Sequence, residues 1–174
     1  MCLVIDANTI GKVFDSRNAD HSRFKPVARW VTHGHGSVIY GGSKYLAELG
    51  KGKYLGLYVE LLKNGRAVRI DRKSVDDRAV LLKAKIKDKK FNDEHIVALV
   101  GLSKCRLVCT DDIESLPYLK RKELYPQGVR VPYIYRNPAD SKHCCTQMIV
   151  EICKQRSATS RRDRKPKQRP PVKM

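Results

Sequence analysis

The N-terminal stretch MCLVIDANTI, residues 1–10, decides how the rest of the chain is interpreted. Its run 3–5 is apolar and partly β-branched, which is typical of a buried strand. Asp6 follows at once, where that strand would leave the sheet. Ligands of open α/β sheets bind beyond the carboxyl ends of the strands, so Asp6 is well placed to do chemistry. The alternative is that Asp6 only caps the next helix.

Further along the chain, short apolar runs alternate with segments of helical periodicity. Pro132 lies inside the last apolar run and indicates an edge strand. Strands are predicted over 3–5, 37–40, 67–70, 106–110 and 129–135, and helices over 24–31, 44–49, 55–62, 75–82, 91–100 and 141–152.

Composition limits the class of protein more than the fold. The 174 residues are enough for one domain with a substantial core, and Lys+Arg number 36 against 18 Asp+Glu. A net charge of +18 indicates an anionic partner: nucleic acid, an acidic protein or an anionic surface. No apolar stretch approaches the ~20 residues that span a bilayer, so we expect no membrane contact. The six cysteines follow no regular spacing, which favours reduced thiols in a cytoplasmic protein.

The charge is unevenly distributed, which indicates two regions. Residues 154–174 hold nine Lys/Arg, one acid and three prolines, and supply +8 of the net charge. With almost no apolar side chains, such a segment cannot offset the entropy of ordering. We therefore expect a folded domain over 1–153 and a disordered basic tail over 154–174.

A second acid lies near the predicted exit of the 37–40 strand. Ser43 is a suitable N-cap for the helix that follows, and Glu48 lies on that helix, one turn beyond Lys44. Glu48 is interpreted either as a functional carboxylate or as the surface partner of Lys44.

A third acid begins the 91–100 helix. Asn92 is the expected cap, and Asp93 shares a face with the apolar side chains of that helix. Glu94 and His95 are expected to be ordinary surface residues.

The predicted 106–110 strand repeats the design of the N-terminal stretch, because Thr110, Asp111 and Asp112 follow its apolar residues. The alternative is that the two acids only begin a helix, whose dipole favours them.

Taken in order, these features resemble the PIN-domain nucleases over about residues 1–135. The features are a strand followed by Asp-x-Asn, an acid in a following helix, a helix that starts Asn-Asp-Glu-His, and a strand that ends in Thr-x-Asp. The resemblance implies a three-layer α/β/α fold with a mainly parallel, twisted central sheet. It implies catalytic acids at Asp6, Glu48, Asp93 and Asp112, metal ligands at Asp6, Asp93, Asp112 and the adjacent Asp111, and substrate-binding residues at Asn8, Ser43, Lys44 and Thr110.

Clustered acids explain why such a site would need a metal ion. Two carboxylates about 4 Å apart repel by ~4 kcal/mol at an effective dielectric constant near 20. A divalent cation removes that cost, and ligation by oxygen alone suits Mg²⁺ or Mn²⁺. A metal-activated water would then cleave the RNA backbone, while Lys44, the lysine-rich run 83–90 and the tail bind the strand.

The first hypothesis is therefore a metal-dependent endoribonuclease, of the kind found in toxin–antitoxin or defence pairs. The second is a PIN-like nucleic-acid-binding subunit of a ribonucleoprotein with little or no catalysis. A third is a structure-specific DNA nuclease. An enzyme that cuts cellular RNA needs restraint, so we also expect an acidic inhibitor or antitoxin protein as a partner. Assembly into a homo-oligomer stays open.

Removal of residues 154–174 should make RNA binding less dependent on salt. Each phosphate contact contributes about −0.7 to the slope of log affinity against log salt for single strands, so ~4–6 contacts change the slope by roughly 3–4 units. Filter binding of single-stranded RNA at several salt concentrations measures that slope. An unchanged slope after truncation would show that the tail does not bind RNA.

Overall fold

A computed structural model describes residues 2–51 and 54–144. The predicted tail 154–174 and most of the predicted last helix lie outside the described residues. Strands and helices alternate through this part of the chain as the sequence predicts. The strands are β1 (Cys2–Ile5), β2 (Ser37–Tyr40), β3 (Ala67–Arg69), β4 (Leu107–Cys109) and β5 (Tyr133–Tyr135), and the helices are α1 (Ile10–Phe14), α2 (His21–Thr32), α3 (Ser43–Lys51), α4 (Leu55–Lys63), α5 (Arg72–Lys85), α6 (Glu94–Ser103) and α7 (Leu116–Leu119).

The five strands form one sheet in the order β3-β2-β1-β4-β5, and every neighbouring pair is parallel. Helices flank this sheet, so the three-layer α/β/α fold is confirmed. β5 lies at the edge, as Pro132 predicts. Among the described residues, short 3-10 helices follow β1 (Ala7–Thr9), precede β5 (Lys122–Leu124) and follow β5 (Pro138–His143).

The strand order places a switch point between β1 and β4. From β1 the chain adds β2 and then β3 on one side, and later returns to add β4 and β5 on the other. Because the connections after β1 and β4 lead to opposite sides of the sheet, a crevice opens beyond the carboxyl ends of these two strands. Asp6 directly follows β1 and Thr110 directly follows β4, so both lie at this crevice.

The core is formed by the central strands and by α6. All four residues of β1 have no exposed surface. Helix α6 packs against α5 and α3 as well as against β1 and β2, and its residues from His95 to Gly101 are all buried. A helix that is apolar around most of its circumference is an interior helix, which explains this placement.

Cys2, Cys105 and Cys109 belong to this core. Cys105 and Cys109 are buried free thiols, and Cys144 is partly buried. Cys2 is disulfide-bonded, so the expectation of reduced thiols throughout is wrong at this residue. Within the described part of the chain, no helix is long and apolar enough to cross a membrane.

A glycine pair joins β2 to α3 at the edge of the sheet where the candidate site lies. Gly42 has φ +80°, and a Cβ built on it would lie 2.5 Å from Val75 Cγ1. An L side chain there meets both backbone strain and a buried neighbour on α5.

Gly42→Ala should lower the free energy of unfolding by about 1–3 kcal/mol. Gly56, in α4, has no atom within 4 Å of such a Cβ, so Gly56→Ala is the matched control and should stabilise by up to about 1 kcal/mol. Urea unfolding followed by circular dichroism measures both changes. Equal effects of the two substitutions would contradict this account of the junction.

Candidate active site

Asp6 lies at the carboxyl end of β1 and is only 4% exposed. Its Oδ1 accepts a hydrogen bond from the backbone N–H of Asn8 at 3.1 Å, and its Oδ2 accepts one from the Thr110 hydroxyl at 2.7 Å. The first bond caps the 3-10 helix Ala7–Thr9, so the capping role of Asp6 is confirmed for one oxygen. Burial raises the pKa of Asp6, and the hydrogen bonds from Thr110 and Asn8 oppose that rise only in part. The two hydrogen bonds therefore hold the carboxylate in place, although burial removes it from water and disfavours its charged form.

Thr110 joins the two strand ends. It is 1% exposed, donates to Asp6 and accepts the backbone N–H of Asp112 at 3.0 Å. The carboxylate of Asp112 accepts the backbone N–H of Glu114 at 2.8 Å, and its charge raises the pKa of Asp6. Thr110 thus acts as a positioning residue that sets Asp112 close to Asp6.

Asp93 occupies the N-cap position of α6, where Asn92 was predicted, but its side chain makes no capping hydrogen bond. Its Oδ2 is buried and has no hydrogen-bond partner among the described residues. Burial and the charge of Asp6 raise the pKa of Asp93 to about 6. Because the side chain makes no capping hydrogen bond, hydrogen-bonded capping does not explain why an acid is present here.

A small depression brings these groups together at the carboxyl edge of the sheet. Asp6, Asp93 and Thr110 line it, and the apolar side chains of Ile96 and Leu119 form part of its wall. Asp112 raises the pKa values of both Asp6 and Asp93, although burial is the larger cause for each, so it lies within electrostatic range of both. Three of the predicted acids therefore act on one another.

The three acids are not arranged as a finished metal site. Among the described residues, no three His, Cys, Asp or Glu side chains are grouped closely enough to hold a metal ion as they stand. Their chemistry nevertheless fits a cation, because the buried Oδ2 of Asp93 has no hydrogen-bond partner in the described part of the chain and lies within electrostatic range of Asp6.

Asp111 faces a different set of partners. Its carboxylate contacts Lys12 Nζ at 2.6 Å and Arg23 Nη2 at 3.0 Å, and Arg136 lies 3.7 Å away. Burial raises the pKa of Asp111, but the hydrogen bonds from Lys12 and Arg23 outweigh it and hold the pKa below its ordinary value. Asp111 thus connects α1, α2 and the end of β5 by ion pairs.

Glu48 lies beside His95 and not in the depression that Asp6 and Asp93 line. Its Oε2 is 3.2 Å from His95 Nε2. The Lys44 ammonium contacts Glu94 Oε1 at 3.0 Å, so the expected pair with Glu48 is replaced by one with Glu94. Lys83 also approaches Glu94, at 3.9 Å, which brings two lysines to the first turn of α6.

The expectation of ordinary surface residues at Glu94 and His95 is wrong. The His95 side chain is 3% exposed and that of Glu94 is 14% exposed. Both belong to the first turn of an interior helix. Their side chains contact Lys44 and Glu48 of α3 rather than solvent. The continuous apolar run 96–100 is the signal in the sequence that identifies this helix as buried.

The remaining predicted residues lie around this site. Asn8 is exposed and contributes its backbone N–H to Asp6. Ser43 begins α3, where its backbone N–H donates to Asp76 Oδ1 at 2.7 Å and its hydroxyl accepts from Arg72 Nε at 2.7 Å. The side chain of Ser43 is thus already engaged within the protein.

Comparisons with known proteins identify no relative. No family model matches the chain, and neither a curated protein nor a solved structure shows significant similarity. The resemblance to PIN-domain nucleases therefore stays a prediction from the sequence motifs.

Without metal, stability should depend on pH through Asp93. Its pKa in the folded state, about 6, exceeds the ordinary value of 3.8. The folded state therefore binds more protons between these values, and the free energy of unfolding falls as the pH rises from about 4 to about 6. Asp93→Asn should remove this fall and stabilise the protein in EDTA at pH 7 by about 1–3 kcal/mol.

Asp111→Asn is the matched control, because it removes a carboxylate that is held by cations. It should destabilise by about 1 kcal/mol at pH 7, and this loss should vanish in acid, where Asp111 is protonated. Urea unfolding between about pH 2 and pH 7 measures both variants, because Asp111 is protonated only below its ordinary pKa. If Asp93→Asn destabilises the protein in EDTA at pH 7, the carboxylate is a structural group and not a strained functional one.

Proposed function

We propose that this protein is a divalent-metal-dependent endoribonuclease. The observation that carries the proposal is the buried Oδ2 of Asp93, which has no hydrogen-bond partner within residues 2–51 and 54–144 and lies in a depression shared with Asp6. Among the described residues no basic side chain is bonded to either carboxylate, so ionisation of both is costly at this burial, and a cation between them would lower that cost. The placement beyond β1 and β4, at the switch point of a parallel sheet, further supports a ligand site.

In this proposal Asp6, Asp93 and Asp112 hold the metal ion. Oxygen donors of this kind suit Mg²⁺ or Mn²⁺, which supplies an activated water and neutralises the charge that develops on the phosphodiester. Thr110 keeps Asp6 oriented through its 2.7 Å hydrogen bond and keeps Asp112 close through the bond to its backbone N–H. The buried walls formed by Ile96 and Leu119 limit the access of bulk water to the carboxylates.

The charge distribution supports RNA as the substrate. Lys44 and Lys83 contact Glu94 at the N-terminus of α6, one residue after Asp93. One carboxylate cannot neutralise both ammonium groups, so a net positive charge remains beside the acids. The backbone phosphates next to the scissile bond would take this position. The chain as a whole carries +18, which favours association with a polyanion.

A second candidate function is nucleic-acid binding without catalysis. It is favoured by the finding that no three ligating side chains in the described residues are already grouped around a common point. In that case the basic charge would bind RNA, and the carboxylates would stay unmetallated and in part protonated. The two candidates differ in whether Mn²⁺ produces cleavage.

Substitution of the three acids tests the proposal. Asp6→Asn, Asp93→Asn and Asp112→Asn keep the side-chain shape but each remove one negative ligand. Each should reduce Mn²⁺-dependent cleavage of labelled single-stranded RNA by at least about 100-fold, because even outer partners of metal ligands are worth 10–100-fold. The losses should not add, since the ligands act as one unit.

Asp77→Asn is the control for loss of a carboxylate, because Asp77 lies on α5 in an exposed pair with Lys73 and should leave cleavage unchanged. EDTA should abolish cleavage by the unsubstituted protein. Full activity of Asp6→Asn would end the nuclease proposal. RNA binding by the unsubstituted protein without any cleavage in Mn²⁺ would support the second candidate function.

A further inference from the structure

Arg136 directly follows β5, at the same edge of the sheet as the candidate active site. The register pairs the last residues of β1, β4 and β5 with one another. The residues that come next, Asp6, Thr110 and Arg136, therefore form one row across these three strands. Because neighbouring strands lie about 4.8 Å apart, the backbone of Arg136 is about 10 Å from that of Asp6.

Two other basic side chains beside Arg136 are already paired with acids. Lys12 of α1 and Arg23 of α2 donate hydrogen bonds to the two carboxylate oxygens of Asp111, at 2.6 and 3.0 Å. Asp20 is a second carboxylate of this group, 3.1 Å from Lys12 Nζ and 3.4 Å from Arg23 Nη1. These two cations and two carboxylates balance one another, so the charge of Arg136 is additional to them.

The guanidinium of Arg136 is not fully hydrogen-bonded by the described residues. Its Nη2 is 3.7 Å from Asp111 Oδ1, which is beyond hydrogen-bond distance. Its Nε is buried and has no hydrogen-bond partner within residues 2–51 and 54–144. The nearby Asp140 is engaged by the backbone, because its Oδ2 accepts the N–H groups of Arg136 and Asn137 in a capping box. A buried donor without a partner costs free energy, which an incoming acceptor would recover.

The position of this guanidinium is fixed by its backbone. Arg23 Nη2 donates to the carbonyl oxygen of Arg136 at 3.3 Å, and the N–H of Arg136 donates to Asp140 at 2.9 Å. The Arg136 side chain is 31% exposed, so a ligand can reach it. A guanidinium presents its donors as a rigid fork that matches the oxygens of a phosphate group.

We propose that Arg136, with Arg23 beside it, forms a subsite for a phosphate group of an RNA strand bound across the acids. The choice of RNA as the ligand rests on the proposed function. A strand advances about 3.4 Å per nucleotide even when it is helical, so no more than about three nucleotides span the distance from Asp6. Arg136 lies on the β5 side of the acids, whereas Lys44 and Lys83 contact the first turn of α6. The strand would thus meet basic groups in two directions from the acids.

Substitution of Arg136 tests the subsite through RNA binding alone. Binding of single-stranded RNA by the full chain is measured in EDTA at several salt concentrations, where no metal-dependent cleavage occurs. Arg136→Gln should weaken binding by about 3–10-fold and make the slope of log affinity against log salt shallower by about 0.7. Arg136→Lys keeps the charge but not the fork, so it should restore the slope and only part of the affinity.

Arg130→Gln is the matched control. Arg130 is exposed and precedes β5, whereas Arg136 follows it, so the two arginines lie at opposite ends of the same strand. The control should leave the affinity and the slope nearly unchanged. Melting temperatures should be similar for both variants, because a 3.7 Å contact with Asp111 contributes little to stability.

Three results would overturn the inference. Equal losses in Arg136→Gln and Arg130→Gln would show that RNA responds only to the total charge. A lower melting temperature of Arg136→Gln with unchanged RNA binding would show a structural role. Weaker binding of polyglutamate by Arg136→Gln, again with unchanged RNA binding, would show that the cluster takes an acidic protein.

The experiment also separates this inference from the proposed function. RNA binding that depends on Arg136, without any cleavage in Mn²⁺, would support the subsite and contradict the nuclease. Loss of cleavage in Asp6→Asn together with normal RNA binding by Arg136→Gln would do the reverse.

Discussion

The burial of two facing carboxylates, Asp6 and Asp93, is the constraint on which the candidate site depends. Neither is bonded to a basic side chain in the described residues, and the charge of Asp6 adds to burial in raising the pKa of Asp93. A fold that merely needed polar caps would place them in solvent or beside lysine or arginine, as it does with Asp111. Asp93, whose pKa is raised by burial and by Asp6, thus differs from Asp111, whose pKa is lowered by ion pairs with Lys12 and Arg23.

The parallel sheet and its apolar core offset the free-energy cost of burying these carboxylates. Strand β1 is fully buried between β2 and β4, so the position of Asp6 is fixed by the sheet and its neighbours cannot relax away. Thr110 leaves β4 at the adjacent strand end and binds Asp6, while the interior helix α6 brings Asp93 from a third element. Three separate segments of chain thus converge where the strand order reverses, and the large apolar core offsets the local repulsion.

The sequence predicts the fold better than it predicts the site. Apolar runs bounded by turn residues locate all five strands, because a buried parallel strand has a simple composition. Asp6 and Thr110 follow from those runs directly, since both stand at strand ends. Helical periodicity alone predicts a surface position for His95, because periodicity shows which residues share a face of the helix but not how many of its faces are buried. The pairing of Glu48 with His95 instead of Lys44 depends on how α3 packs against α6, which no local pattern encodes.

The central claim is that the facing carboxylates exist to bind a divalent cation. Anomalous diffraction from crystals of the full chain grown with Mn²⁺ tests it most directly, because the manganese signal locates the ion without reference to activity. The account predicts one anomalous peak within about 2.0–2.3 Å of oxygens from Asp6 and Asp93, with Asp112 bound directly or through water. An absence of any peak at these side chains, at a Mn²⁺ concentration that saturates other carboxylate sites, would contradict it.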